Sequence, residues 1–408
     1  MLKISRLGMI LLVIFISSVF IPQIYWMIFG TRIIPPRVFY SPITNGFLIE
    51  KVSDKYYYWE NEEGDRFTRE EGDSLLPLQS YRILAMKGKL PDSLRGHKLN
   101  IDEIRLNNIY LQVKPYYLDT PSIPLYPLFE SKPARFKLEI PEYYFRIKDR
   151  IEFVSAETNK VNDSLSTVYN KALIDAGFQF PAYKVFGNPT TRKPFDEGYF
   201  IIDNNNNIFH LKRIHNQPFC ANLHIPSSIK PEWLIVREMG LKEFYALMIT
   251  RDNKLYLILY KNYNLQPLPV TGYDPLQHNL KLYGNLFYRS INILSKTDNH
   301  TYVTDRNYAL LDTLHVQWPG KYDTPAGKIS KYLFPFTLRF VDSSSMYTGF
   351  YFSPYNFQSL FISLFIFIFT LFFIYKKHKK ISALSLLSFV FGLYGLIALS
   401  IFNFGEDE

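Results

Sequence analysis

Phe244-Tyr245-Ala246-Leu247-Met248-Ile249-Thr250 and Leu255-Tyr256-Leu257-Ile258-Leu259-Tyr260, with Asn253-Lys254 in the turn between them, spell a β-hairpin. The second strand is apolar on both faces, as a strand sandwiched between layers must be. The same pattern of strand-like run, polar turn and strand-like run recurs around Asn206-Asn207-Ile208-Phe209, Asn299-His300-Thr301-Tyr302 and Ser344-Ser345-Met346-Tyr347. The aromatics at 209, 256, 302 and 347 are spaced by 47, 46 and 45 residues. That period matches a four-stranded blade whose faces are buried by its neighbours. The expectation is a propeller-like or stacked β-meander arrangement over residues 195–356.

Three apolar runs frame this region: Gly8–Phe29, Phe357–Tyr375 and Ile381–Phe402. Each has about the 17 to 25 residues needed to cross a hydrocarbon core, and none carries Asp, Glu, Lys or Arg. The fold class expected is therefore an α+β membrane protein with three transmembrane helices and a large β-rich extracytoplasmic region. Lys3 and Arg6 precede the first run, and Lys376, Lys377, His378, Lys379 and Lys380 fill the turn between the last two. Cytoplasmic loops attract such clusters. Both basic ends are placed inside a bacterial cytoplasmic membrane, with the main domain outside and the tail Glu406-Asp407-Glu408 outside as well. The four lysines are read as membrane-interface residues contacting lipid headgroups.

The domain plan follows: anchor 1–30, an extracytoplasmic α+β part 31–194, a β-repeat part 195–356, helix 357–375, basic turn 376–380, and helix with acidic tail 381–408. A cleaved leader is the alternative for the first run. Its length and the absence of an Ala-x-Ala site near Gly30-Thr31-Arg32 argue against it. Ser385, Ser388, Gly392 and Gly395 put small residues along one side of the last run, which permits close helix packing.

The formal charge of +9 is dispersed outside the basic ends, with no Lys/Arg block in the outer region, so nucleic acid is not an expected partner. A single cysteine, Cys220, excludes an intrachain disulfide and reads as a small buried side chain. Stability must come from a core, for which aromatics at 17% supply ample material.

In the first half, Thr68-Arg69-Glu70-Glu71 is a capping-box start, and the stretch to about Met86 fits a short helix with Pro77 as an objection. Asn162-Asp163 opens a second helix with the stripe Leu165, Val168, Tyr169, Ala172 and Leu173, closed at Gly177. Phe39–Trp59, Ile104–Val113 and Phe136–Phe153 read as strands, and Pro115–Pro133 as an irregular connector.

Chemical signatures are sparse. Gly72-Asp73-Ser74-Leu75 spells a lipase string, and Asp312-Thr313-Leu314-His315 offers an Asp-x-x-His. Yet Ser74 follows a polar helix start instead of a buried strand, and context contradicts the motif. The histidines show no zinc spacing, no phosphate loop is present, and no cofactor or metal is expected. The densest polar stretch is Gly187–Phe200 followed by Phe209-His210-Leu211-Lys212. Candidate binding residues are Asn188, Arg192, Lys193, Asp196, Glu197, His210 and Lys212, at what reads as a seam between two halves.

These segments, together with Tyr40-Ser41-Pro42, Phe67–Glu70, Leu75–Leu78 and Tyr332-Leu333-Phe334-Pro335-Phe336, also carry a resemblance. The chain resembles the bacterial membrane-protein family known as domain of unknown function 4857. The resemblance implies no defined catalytic residues and an accessory role beside an ABC-type transporter, with permease and ATP-binding subunits as partners. The leading expectation is a non-enzymatic membrane-anchored accessory protein with an outer binding or sensing domain. An envelope scaffold is the second reading, and an extracytoplasmic hydrolase using Ser74 and His315 the third.

Overall fold

The computed structural model describes residues 2–52, 56–121, 123–133, 138–342, 344–378 and 383–402. The chain begins with helix α1 (Leu2–Phe29) and divides into two compact units. One is a β-rich body, Pro36–Val316; the other is a terminal unit of Met1–Pro35 with Gln317–Glu408.

Among the described residues the body holds five sheets of four or five strands and a small hairpin, Ser93–Leu94 with His97–Lys98. Sheet I holds Arg37–Tyr40, Phe47–Val52, Tyr57–Asn61 and Arg66–Phe67. Sheet II holds Tyr126–Pro127, Tyr143–Ile147, Ile151–Ser155 and Val161–Asn162. Sheet III holds Lys184–Gly187, Tyr199–Ile202, Ile208–Ile214 and Gln217–Asn222. Sheet IV holds Pro231–Val236, Phe244–Thr250, Leu255–Leu259 and Leu265–Pro267. Sheet V adds the early strand Ile109–Val113 to the edge of Asn279–Gly284, Arg289–Leu294, Asp298–Thr304 and Leu310–Gln317.

Phe209, Tyr256 and Tyr302 lie in the third strands of the consecutive four-strand meanders of sheets III, IV and V, so the spacing read from sequence is the interval between successive meanders. The fourth position, Tyr347, lies in the terminal unit and continues no sheet of the body. The sheets stack through shared apolar cores. Sheets II and III meet at Phe145, Phe153, Tyr199 and Phe209, sheets III and IV at Phe200, Ile208, Ala246 and Met248. Leu247 and Leu257 of sheet IV meet Leu282 and Ile291 of sheet V, and Val303 of sheet V meets Val38 and Phe47 of sheet I. Among the described residues no core cluster joins sheet I to sheet II, and the row forms no closed barrel or propeller.

Helices sit between and beside the sheets. Thr68 and Glu71 form the expected capping box on α2 (Arg69–Leu75): the Thr68 amide donates to Glu71 Oε2 at 2.7 Å. Helix α2 stops before Pro77, and α3 (Tyr81–Met86) resumes. The expected strand from Ile104 is instead the end of α4 (Ile101–Asn107), because the Asn100 side chain caps the Asp102 and Glu103 amides. Only Ile109–Val113 of that segment is extended. Inside the supposed irregular connector, Pro115 starts the one-turn helix α5 (Pro115–Leu118) and Tyr126–Pro127 pairs in sheet II. Helix α6 (Asp163–Asp175), capped by Asn162, buries Tyr169 and Leu173 and leaves Val168 exposed. Residues 134–137, at the start of the predicted strand Phe136–Phe153, lie outside the described residues.

In the terminal unit, two helices are long and apolar enough to cross a membrane: α1 over Ile4–Phe29, and a C-terminal one over Ser359–Lys376. About a third or less of each is buried, and Leu12, Phe20, Ile28, Phe361, Phe365 and Phe372 are turned outward. A soluble core helix would hide such side chains. Between them lie α7 (Pro325–Leu333) and a short hairpin of Leu338–Arg339 with Tyr351–Phe352; the C-terminal span belongs to α8 (Ser359–His378).

The third expected crossing is corrected by the structure. The run from Ala383 breaks into a short 3-10 turn, α9 (Leu386–Val390) and α10 (Leu393–Ile401), with Gly392 at φ +52° between the helices. At 1.5 Å per residue α10 reaches about 14 Å, half a hydrocarbon core. Glycine makes the break: a Cβ on Gly395 would lie 2.2 Å from the Leu387 carbonyl oxygen, and one on Gly392 would lie 2.7 Å from Ser363 Oγ. The hairpin returns along α1, where Tyr394 and Ala398 join Ile10 and Ile14 in one core cluster. Arg6 Nη2 donates to the Phe402 carbonyl at 2.8 Å, so the last described residue ends beside the start of α1 and not at its far end. The tail Glu406-Asp407-Glu408 lies outside the described residues.

Candidate functional site

The loop from Asn188 to Gly198 joins neighbouring strands of sheet III, Lys184–Gly187 and Tyr199–Ile202, instead of two halves of the chain. It folds over the adjoining sheet IV. Lys193 Nζ lies between Asp196 and Glu238, 2.9 Å from Glu238 Oε1, with all three side chains at 2% exposure or less. Asn188 Nδ2 donates to Glu238 Oε2 at 2.7 Å, and the Gly198 amide donates to Asp196 Oδ2 at 3.0 Å. Gly198 is left-handed (φ +67°), and a Cβ there would meet the Leu211 carbonyl oxygen at 2.1 Å, so the loop can close only on glycine. Next to it, Glu197 accepts from Lys212 and, at 2.6 Å, from the Tyr260 hydroxyl. His210 is fully buried, stacked on Phe200 at 4.1 Å, with Nδ1 2.9 Å from the Tyr263 hydroxyl and Nε2 against the Glu197 carbonyl. Tyr245 stacks on Tyr260 at 3.8 Å, and the Lys212 ammonium sits 5.0 Å above its ring.

The structure therefore brings together Asn188, Lys193, Asp196, Glu197, His210 and Lys212, and leaves the Arg192 side chain exposed outside the cluster. Glu238, Tyr245, Tyr260 and Tyr263 are members that sequence reading missed. Burial pushes the Asp196 carboxyl up to about 6, against the pull of Lys193 and with a further push from Glu238. Burial, reinforced by Lys212, holds His210 well below the ordinary histidine value. Both its ring nitrogens are engaged, so this histidine is a neutral strut and not a poised base. A matching cluster ties sheet IV to sheet V. Arg289, fully buried, pairs with Glu243, whose Oε1 lies 2.9 Å from Arg289 Nε, and donates at 2.6 Å to the Asn285 carbonyl. The loops after the first strands of sheets III and IV supply Lys193, Asp196, Glu238 and Glu243 to these clusters, and the strands Ile208–Ile214 and Arg289–Leu294 supply His210, Lys212 and Arg289.

The remaining candidates fall elsewhere. Ser74 lies in α2, where its hydroxyl donates to the Glu70 carbonyl at 3.0 Å, while the His315 ring stacks on His300 at 3.8 Å. The serine is not hydrogen-bonded to the histidine. Asp298, His300 and His315 hold one ligand atom each within 4.8 Å of the others. The two imidazoles are nearly parallel, at 12°, so their lone pairs do not converge on one point, and tetrahedral zinc would need ligands about 3.3 Å apart. Cys220 is packed into the core of sheets II and III, and burial pushes its thiol up to about 12. Lys376 is exposed at the end of α8; Lys379 and Lys380, and the side chain of Lys377, lie outside the described residues.

A cavity of about 950 Å³ opens in the body beside α6. Leu128, Tyr143, Phe153, Leu165, Val168 and Tyr169 form its apolar wall, and Glu130, Arg213, Asn162 and Asn216 its polar one. Glu130 is fixed there, accepting amides of His215 at 2.8 Å and Asn216 at 3.0 Å. The volume falls at the upper end of the range of small-molecule sites.

Stacked antiparallel meanders, flanked in sequence by two apolar helices long enough to cross a membrane, define a β-rich body of the α+β class. Residues 37–304, the greater part of the chain, match the family described as Domain of unknown function (DUF4857), and the protein belongs to that family. Comparison with curated proteins and with solved structures gave no match.

Proposed function

We propose that this protein is a non-enzymatic, membrane-anchored binding or sensing protein of the bacterial cytoplasmic membrane. Its β-rich body faces away from the cytoplasm and holds a small, largely apolar molecule in the cavity beside α6. The observation that carries this reading is that cavity, with an apolar wall on one side and, on the other, a polar wall to which Glu139, Glu142 and Ser164 also belong. The exposed apolar faces of α1 and α8 support the anchor, and Arg6 and Lys376 at their basic ends support a cytoplasmic position for those ends. The outward face of α8, with Phe365, Phe369 and Phe372, is the surface offered to an ABC-type permease, as the family resemblance implies.

Two measurements test this. Val168→Trp fills the cavity from the exposed side of α6. Small molecules extracted from purified full-length chain should include one that is depleted in the variant; identical extracts remove the binding reading. For topology, Ser227→Cys in the body should react with an impermeant maleimide on intact cells, whereas Lys376→Cys should react only after permeabilisation. A photo-crosslinker at position 369 should yield an adduct containing an ABC permease, and adducts with lipid alone would remove the transporter association.

A further inference from the structure

We infer that the terminal unit carries a binding site for an anionic glycerophospholipid at the end of α1 distant from its basic start. A groove of about 960 Å³ runs between the last turns of α1, the end of α7 and the residues leading into α8. Its apolar floor includes Val19, Phe334, Phe336 and Phe357, and its rim carries Lys321, Lys331 and Arg339. Among the described residues no carboxylate lines it. Three cations against an apolar floor complement one class of ligand, a phosphate joined to acyl chains.

The geometry holds a charge at the rim: Lys321 is exposed and its ammonium sits 3.9 Å above the Trp26 ring, an attractive contact that fixes its place. Arg339 forms a long ion pair with Asp342 at 3.9 Å, at the edge of the groove. Helix α7 is fixed to α1 by Tyr25, whose hydroxyl donates to the Ala326 carbonyl at 2.7 Å. It buries Ala326, Gly327 and Ser330 while turning Lys328, Ile329 and Tyr332 outward, the division of a helix lying along a membrane surface. Trp26, Tyr322 and Tyr355 line the groove, and such rings gather at the headgroup level. Nearby, Phe15 stacks on Phe350 at 6.3 Å and meets Phe340 edge-on, laying the hairpin that follows α7 along α1.

This inference rests on α1 and α8 crossing a bilayer, which resistance of the full chain to alkaline carbonate extraction checks separately. The site itself is tested by native mass spectrometry of delipidated full-length chain titrated with dioleoylphosphatidylglycerol or dioleoylphosphatidylcholine. The wild type should bind the anionic lipid at least tenfold more tightly. Each of Lys321→Gln, Lys331→Gln and Arg339→Gln should weaken it about fivefold, and the triple variant about a hundredfold. Lys328→Gln, on the same helix but outside the groove, should change nothing. Equal binding of the two lipids, a triple variant that keeps the preference, or displacement of the lipid by millimolar inorganic phosphate would each overturn the assignment. A chain that stays in the carbonate pellet yet shows no lipid preference refutes this site alone.

Discussion

Replacing Lys193 with methionine is the sharpest test of how the body is held together. The substitution keeps the length of the side chain and removes the one ammonium lying between Asp196 and Glu238, whose side chains are fully buried. Breaking a buried pair by removing one partner costs about 3 to 5 kcal/mol, because the remaining charges lose compensation that water cannot replace. In a body of this size that is a fall in Tm of about 6 to 10 °C. The loss must depend on pH, with a sign the structure fixes. Folded Asp196 titrates near 6 and the free carboxyl near 3.8. The group therefore favours the folded state most at low pH, and loses about 3 kcal/mol of that contribution as pH rises through this window. Without Lys193 the folded value moves higher still and the window extends above 6. Thermal unfolding of full-length chain in detergent should show a large deficit at pH 8 and less than half of it at pH 5. Adding Glu238→Gln should restore about half of the loss at pH 8. A deficit equal at both pH values, or one below about 1 kcal/mol, would refute the account of a desolvated, singly compensated cluster.

Other outcomes follow from the same physics. His210→Phe keeps the stack on Phe200 but strands the Tyr263 hydroxyl and the Glu197 carbonyl, costing about 2 to 4 kcal/mol at pH 8 by chemical unfolding. Because folded His210 resists protonation while the unfolded chain accepts a proton below about 6.5, the wild type loses that contribution on acidification. The variant should lack this acid-side loss, and an unchanged pH slope would count against it. Cys220, with its thiol raised to about 12, should react with a thiol reagent at pH 8 about a thousandfold more slowly than free cysteine until the body unfolds. Gly395→Leu drives a side chain into the Leu387 carbonyl and should cost at least about 2 kcal/mol in detergent, with loss of the monodisperse peak on gel filtration. An unaltered profile would mean that α9 and α10 are not in close contact.

Local signals translated well where one residue dictates one geometry. The Thr68–Glu71 box, the Asn162 cap and the hairpin Phe244–Leu259 lie where their chemistry put them. The period marked by Phe209, Tyr256 and Tyr302 was legible because each lies in the third strand of its meander and packs into the core shared with the preceding sheet. It failed at Tyr347 because aromatic density alone imitates the pattern. Helix α4 was misread through its apolar residues, although Asn100 followed by Asp102 and Glu103 is a capped helix start. The last apolar run was misread for another reason: hydropathy reports affinity for lipid, not continuity of a helix, and Gly392 and Gly395 act on the second. Within the polar cluster, the loop residues stood out through their density. Glu238 did not, since nothing in Arg237-Glu238-Met239-Gly240 announces a partner 45 positions earlier.

The edge strand Ile109–Val113 imposes an order of events during synthesis. Its partner Asn279–Gly284 emerges from the ribosome roughly 170 residues later, so Leu111 and Val113 must wait unburied while three whole meanders are made. Until then sheet V cannot exist, and any chain halted before residue 284 carries a sticky apolar segment with no lodging. That delay makes a holding escort for the half-made body part of the cost of this topology.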